Sequence, residues 1–156
     1  MIDFLISVKV KKMANSFALP TYATAASAGV DLCADLKEPL IVKPGENVKI
    51  PTGLAIELPS QYVVALVFAR SGLASCYGLG LTNGVGVIDS DYRGEIQVLV
   101  QNLGQHPVTI NPGDRIAQMV FMPVFQALFE EVSELQETTR GAGGFGSTGL
   151  SELESG

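Results

Sequence analysis

The chain contains no tryptophan, a single histidine and two cysteines in 156 residues. Two thiols, Cys33 and Cys76, are too few for a disulfide scaffold and have no metal-ligand companions nearby in sequence, so both read as buried, reduced side chains. With His106 alone, placed before Pro107 in a turn-rich stretch, no Ser/His/Asp or Cys/His triad and no histidine metal cage can be built. Long apolar runs are also missing. The longest, residues 63–69, is far too short to span a bilayer. At the N-terminus the basic residues follow the apolar ones, the reverse of a secretory signal, and the expectation is a cytoplasmic protein with no membrane partner. Positive charge is scarce as well. The net charge is −6 and no basic run follows Lys11-Lys12, which argues against long nucleic acid as a partner, since such binding neutralises many phosphates.

What is present suits one folded domain. Hydrophobic residues make up 47% and charged ones only 17%, so the body of the chain has enough apolar surface to form a core. Turn signals such as Lys43-Pro44-Gly45, Pro51-Thr52-Gly53, Asn83-Gly84 and Asn111-Pro112-Gly113 recur at short intervals. Between them lie short segments rich in β-branched and apolar residues at 5–10, 47–50, 54–58, 62–68, 95–100, 108–110 and 116–122. This rhythm predicts an all-β sandwich or barrel and disfavours a parallel α/β sheet. Two segments hint at helix. Ser71 stands where it can N-cap a short helix over 72–77. Phe125, Leu128, Phe129, Val132 and Leu135 follow helical spacing, although a strand ending near Glu131 fits them equally well.

The arginines are the most informative charges. All six lysines fall within the first 49 residues, whereas Arg70, Arg93, Arg115 and Arg140 come later and each lies within two residues of a glycine. A guanidinium fork beside a glycine, where the backbone can come close, is what a small phosphorylated ligand requires. Arg70-Ser71-Gly72 follows a strongly apolar strand and makes a phosphate-binding corner. The segment 83–95 carries Asp89, Asp91, Tyr92 and Arg93 between two apolar arms. Its acids suit either an ordinary turn or metal-assisted phosphate chemistry. Any metal must be a hard cation held by oxygen and substrate phosphate, which means Mg²⁺. Residues 140–156 contain six glycines and one aromatic, Phe145, and offer little to a core. Gly141-Ala142-Gly143-Gly144-Phe145-Gly146 matches a dinucleotide-binding pattern only formally, because no strand, helix and acidic residue surround it. Its glycines with Ser147 and Thr148 can still offer N–H and hydroxyl donors to an anion.

In order along the chain, five segments resemble the motifs of the trimeric dUTPase family. They are Ala28-Gly29-Val30-Asp31-Leu32-Cys33-Ala34, then Ala69-Arg70-Ser71-Gly72-Leu73-Ala74, then 83–95, then Asn111-Pro112-Gly113-Asp114-Arg115-Ile116-Ala117-Gln118-Met119, and finally 140–149. The resemblance implies an all-β, distorted jelly-roll β-barrel over 1–137 and a mobile glycine-rich tail over 138–156. It implies a homotrimer with active sites shared between subunits. The implied activity is hydrolysis of dUTP to dUMP and pyrophosphate with Mg²⁺, which limits uracil incorporation into DNA and supplies dUMP for thymidylate synthesis. By motif, Asp89 resembles the general base that activates the attacking water, and Asp31 the aspartate that holds Mg²⁺ through water. Arg70, Ser71 and Gly72 match the phosphate corner, with Ser71 near the leaving oxygen, and Gln118 matches another phosphate contact. Asn83, Gly86, Val87, Ile88 and Asp89, with a backbone contact near Gln97, match the uracil pocket, and Tyr92 the floor under the deoxyribose. Arg140, Gly146, Ser147 and Thr148 match the grip on the outer phosphates, with Phe145 stacked over uracil. The resemblance also implies a strand after Pro123, over 125–131, in place of a helix. A dCTP deaminase, related in fold, would instead need a glutamate base near the pyrimidine.

Overall fold

The structure, a computed structural model, describes residues 5–13 and 19–144. The chain divides into two units, Met1–Gln126 and Ala127–Gly156. The first is mostly β with one short helix. Its elements in chain order are β1 (Lys9–Lys12), β2 (Val30–Cys33), β3 (Leu40–Val42), β4 (Asn47–Pro51), β5 (Leu54–Glu57), β6 (Val63–Ala69), α1 (Ser71–Tyr77), β7 (Leu79–Leu81), β8 (Gly86–Ile88), β9 (Gln97–Asn102), β10 (Val108–Ile110) and β11 (Arg115–Pro123).

Every strand pairing is antiparallel. Four strands lie in the order β2-β11-β6-β8 and three in the order β4-β9-β7, while β1 pairs β5 and β10 pairs β3. The strands are amphipathic at the period of two that a half-buried strand requires. In β9, Val98, Val100 and Asn102 point inward and Gln97 and Leu99 outward. Leu32, Ile50, Ile96, Met119, Val42 and Val98 are fully buried and come from five strands and the turn before β9, so one core joins the sheets.

Asn102 is the fully buried polar side chain of this core. Its Nδ2 donates to the carbonyls of Val42 at 2.9 Å and His106 at 2.8 Å, and its Oδ1 accepts from Gly104 N at 2.9 Å. Each polar atom of the side chain is therefore satisfied, as burial demands.

Several sequence expectations are corrected. The first strand runs over Lys9–Lys12 and not 5–10, because pairing with β5 sets its register. The helix near residue 72 exists, but Arg70 is its N-cap residue, Ser71 is its first helical residue, and no side chain caps its first turn. Residues 124–137 form neither the strand nor the helix that their spacing suggests, and β11 ends at Pro123. Cys33 is half-buried and Cys76 is exposed on α1, so the second thiol is not a core side chain. Among the described residues, no helix is long and apolar enough to cross a membrane.

Candidate active site

The sheet β2-β11-β6 builds a corner lined by charged and polar side chains. Asp31 lies on β2, across from Gln118 on β11, which in turn faces Phe68 near the end of β6. Beyond Ala69 the chain turns into α1, so Arg70, Ser71 and Gly72 sit beside the two partner strands. A cleft of about 370 Å³ is lined there by Asp31, Arg70, Ser71, Gly72, Arg115 and Gln118. Arg70 Nε lies 2.9 Å from Asp31 Oδ1, and Arg115 Nη1 lies 3.3 Å from Asp31 Oδ2. Gln118 Nε2 donates to the Ala69 carbonyl at 3.1 Å and so ties β11 to the start of the corner. Two guanidinium groups against one carboxylate leave the cleft with positive charge to spare, the condition for receiving phosphate.

The Asn111–Asp114 turn brings Arg115 into this corner. Asn111 N donates to Asp114 Oδ2 at 2.7 Å and Asp114 N to the Asn111 carbonyl at 3.1 Å. Gly113 carries φ of 82°, a left-handed conformation that glycine adopts without strain. Its N–H donates to the Ala34 carbonyl, and Ala34 N donates to the Asp114 carbonyl, both at 2.8 Å. The turn is thus fastened to the residue just after β2. In the sequence Arg115 stands among four arginines beside glycine and within the fourth of the five motif segments, without a role of its own.

A second cleft, of about 270 Å³, gathers Val87, Ile88, Asp89, Tyr92, Glu95 and Gln97, with Lys49 on its rim. No feature of the sequence pointed to Lys49. The β8 strand pairs β6 with Ile88 opposite Ala65, and Asp89 follows, exposed. Asn83 stands in the turn before β8, with its amide beside Gly86. Tyr92 N donates to the Asp89 carbonyl at 3.2 Å, and Tyr92 OH donates to the Glu95 carbonyl at 3.0 Å. Glu95 Oε1 accepts from Gly53 N at 2.8 Å, which fixes the far side of the same loop.

The two clefts share no lining residue. Their separation follows from β6, whose first half pairs with Ile88 of the second cleft through Ala65 and whose end leads through Ala69 into Arg70 of the corner. At the usual rise of a strand, Asp89 and Arg70 stand on the order of 15–20 Å apart within one chain. The structure therefore brings Asp31, Arg70, Ser71, Gly72 and Gln118 together, and Gly86 to Asp89 with Tyr92 and Gln97 together, but not the two groups with each other. In the second unit, Arg140 is exposed, and its carbonyl accepts from Gly143 N at 3.1 Å in a local turn. Phe145, Gly146, Ser147 and Thr148 lie outside the described residues.

Comparison with known proteins places this geometry. The sequence profile of the family described as dUTPase matches residues 15–149. A deoxyuridine 5'-triphosphate nucleotidohydrolase of Desulfitobacterium hafniense is 62% identical over 94% of this chain and 98% of its own length. The protein of that name from Hahella chejuensis is 50% identical over 93% of this chain and 95% of its own. Among solved structures, the dUTPase of Staphylococcus bacteriophage 80alpha with dUPNHPP superposes with a TM-score of 0.83 at 25% identity, covering 92% of this chain and 99% of that one. The dUTPase of phage phi11 of S. aureus, solved as a mutant with a structural Mg(II) ion, shares the fold at a TM-score of 0.75 and 22% identity, covering 84% and 99%.

Proposed function

Since this chain belongs to the dUTPase family and hydrolyses dUTP to dUMP and pyrophosphate, we propose that Asp89 is its general base, acting in sites that each combine the corner of one subunit with the Asp89 cleft of another. The observation that carries this reading is the separation of the two clefts. Each suits one part of a nucleotide, and one chain holds them too far apart for one dUTP to use both.

In this reading the corner takes the triphosphate. Arg70 and Gln118 bind its oxygens, Gly72 lets the backbone approach, and the Ser71 hydroxyl lies by the oxygen that bridges the α- and β-phosphates. The hairpin of the neighbouring subunit takes the nucleoside. Asn83, Gly86, Val87, Ile88 and Gln97 hold uracil, and a stiff backbone hairpin rejects the 5-methyl of thymine, because overpacking a rigid site is costly. Tyr92 lies under the deoxyribose and leaves no space for a 2′-hydroxyl. The Asp89 carboxylate takes a proton from a water aimed in line at the α-phosphorus. The oxygen attacks, the bond to the bridging oxygen breaks, and that oxygen departs with pyrophosphate. Such a step relies mainly on positioning and electrostatics. The tail, residues 138–156, closes the site in this proposal. Arg140, Gly146, Ser147 and Thr148 hold the outer phosphates and Phe145 covers uracil, which excludes water.

Mg²⁺ fits the corner as a cation carried in on the substrate. Asp31 is the one carboxylate lining that cleft, and both its oxygens already have guanidinium partners, so it suits an ion held through water. Among the described residues, no three His, Cys, Asp or Glu side chains gather into a metal cage. When bound, the ion draws the triphosphate oxygens together and offsets the charge that develops on the leaving group.

Assembly into a homotrimer, with the barrel in jelly-roll form, completes the proposal. Three copies related by a threefold axis close the set of heterologous contacts that a shared site requires. The exposed apolar side chains of the segment after β11 support it, with Phe125 99%, Leu128 98% and Phe129 93% accessible, since soluble chains rarely leave such a run uncovered. The free nucleotide pool of the cytoplasm is the setting such a substrate implies.

The test is pyrophosphate release from dUTP, dTTP, dCTP and UTP with Mg²⁺, by the wild type and Asp89→Asn. Release from dUTP, lost in the variant, is expected. Comparable release from all four nucleotides, or an undiminished Asp89→Asn, contradicts the assignment.

A further inference from the structure

Arg115 and Gln118 are three residues apart on β11, and in a regular strand they would point to opposite faces. Both nevertheless line the corner cleft. The cause is a break in the pairing of β11 with β2. Arg115 pairs with Cys33, but Ala117 pairs with Leu32 and Gln118 with Asp31, so Ile116 is an extra residue on the β11 side. Ile116 and Ala117 are consecutive and both buried, as a bulge allows and an alternating strand does not. The bulge turns Arg115 toward Asp31 while Gln118 keeps its place across from it.

Once there, Arg115 makes two different contacts. Its side chain reaches Asp31 Oδ2 at 3.3 Å, on the carboxylate oxygen that Arg70 does not use. Its main-chain carbonyl accepts from Arg70 Nη1 at 3.4 Å. Asp31 is thereby held at both oxygens. Arg70 is held at two points, through Nε to Asp31 and through Nη1 to Arg115, and neither contact uses Nη2. With Nε and Nη1 engaged, the two N–H groups of Nη2 remain to meet an incoming phosphate. The Asn111–Asp114 turn, fastened to Ala34 on both sides, anchors the carbonyl that does this.

We propose that Arg115, delivered to the corner by the β11 bulge, is a positioning residue for the phosphate side of the reaction, setting the orientation of Asp31 and Arg70. The proposal rests on the reading of the corner as the triphosphate site. Arg115 acts through the two residues it holds. Lysine cannot replace it, because a point charge on a flexible stem does not fix a carboxylate plane as a guanidinium does.

The experiment uses the full chain as wild type, Arg115→Gln, Arg115→Lys and Arg70→Ala. Five quantities are read for each: kcat and KM for dUTP, the affinity for α,β-imido-dUTP as a function of Mg²⁺ concentration, the affinity for dUMP, and the melting temperature. Loss of a group that orients phosphate and metal contacts typically costs about 10–100-fold. Arg115→Gln is therefore expected to lose about that much in kcat and to need more Mg²⁺ for analogue binding, with dUMP affinity within about twofold of wild type. Arg115→Lys is expected to share the defect. Wild-type kcat and analogue affinity in Arg115→Gln would overturn the inference, and so would full rescue by lysine, which would reduce the role to bulk charge. A parallel fall in dUMP affinity and melting temperature would also overturn it, as the mark of a merely structural residue. Arg70→Ala separates the two levels. If it loses analogue affinity and Arg115→Gln does not, only this inference fails. If Arg70→Ala also binds normally, the corner is not the triphosphate site and both readings fall.

Discussion

The ring of Tyr92 is folded over the α-carbon of Gly94, so closely that a Cβ there would overlap the phenol oxygen. The phenol is fixed in that place by its bond to the Glu95 carbonyl, 3.0 Å away. Gly94 is thus required for space.

Gly94→Ala should push the phenol off its carbonyl partner. Overpacking of this kind costs about 1–3 kcal/mol. If Tyr92 forms the floor of the sugar site, the ratio of kcat/KM for dUTP over UTP should fall about tenfold, the range expected for one steric group in a pocket. Steady-state kinetics on both nucleotides measure it, and an unchanged ratio would remove Tyr92 from the discrimination of the sugar.

Asn102→Ala deletes the side chain that satisfies two carbonyls and one N–H around the end of β9. With those groups left buried and unpaired, the loss of stability should be about 2–4 kcal/mol. Urea unfolding at one fixed protein concentration reads it from the midpoint. A loss below about 0.5 kcal/mol, the scale of a neutral surface change, would show that water replaces the amide.

Lys9 Nζ lies 2.6 Å from Glu57 Oε1, and the two residues face each other in the β1–β5 pair. The hydrogen bond and charge of Lys9 hold the Glu57 carboxyl below its ordinary value of 4.5. A depressed carboxyl pKa gives stability that is present above the unfolded value and lost as pH falls through the folded one. The loss should therefore appear below pH 4.5. The pair is exposed, so its contribution is small and weakened by salt. Carboxyl NMR titration of Lys9→Ala should return Glu57 to its ordinary range. An unmoved titration would show that the pair is not formed in solution.

These residues also show how far the sequence alone could be read. β9 and β10 were legible because β-branched and apolar residues cluster there between clear turn signals. β2, β3, β7 and β8 are only three or four residues long, too short for periodicity to register, and Asp31 and Cys33 interrupt the apolar pattern of β2. The site residues of the corner were legible by motif, but the role of Arg115 was not, because a one-residue bulge leaves no mark in composition. Nor could spacing along the chain reveal that Asp31 and Asp89 lie in separate clefts. That follows from the pairing of β6 with both β11 and β8. Residues 124–137 have apolar spacing but, among the described residues, no partner strand, and spacing alone makes neither helix nor sheet.

The shared site is tested most directly by mixing two dead variants. Arg70→Ala damages the corner and Asp89→Asn the hairpin, and each alone should release almost no pyrophosphate from dUTP. Co-expressed with different tags and purified through both, they assemble into mixed oligomers in which some sites draw an intact corner from one subunit and an intact hairpin from another. In a trimer that holds both variants, one site in three, or about a third, should be whole, and activity should recover to that order. Recovery establishes that the catalytic aspartate and the phosphate corner of one site come from different chains. A mixture as inactive as its parents would contradict the account, because it would mean that each chain completes its own site.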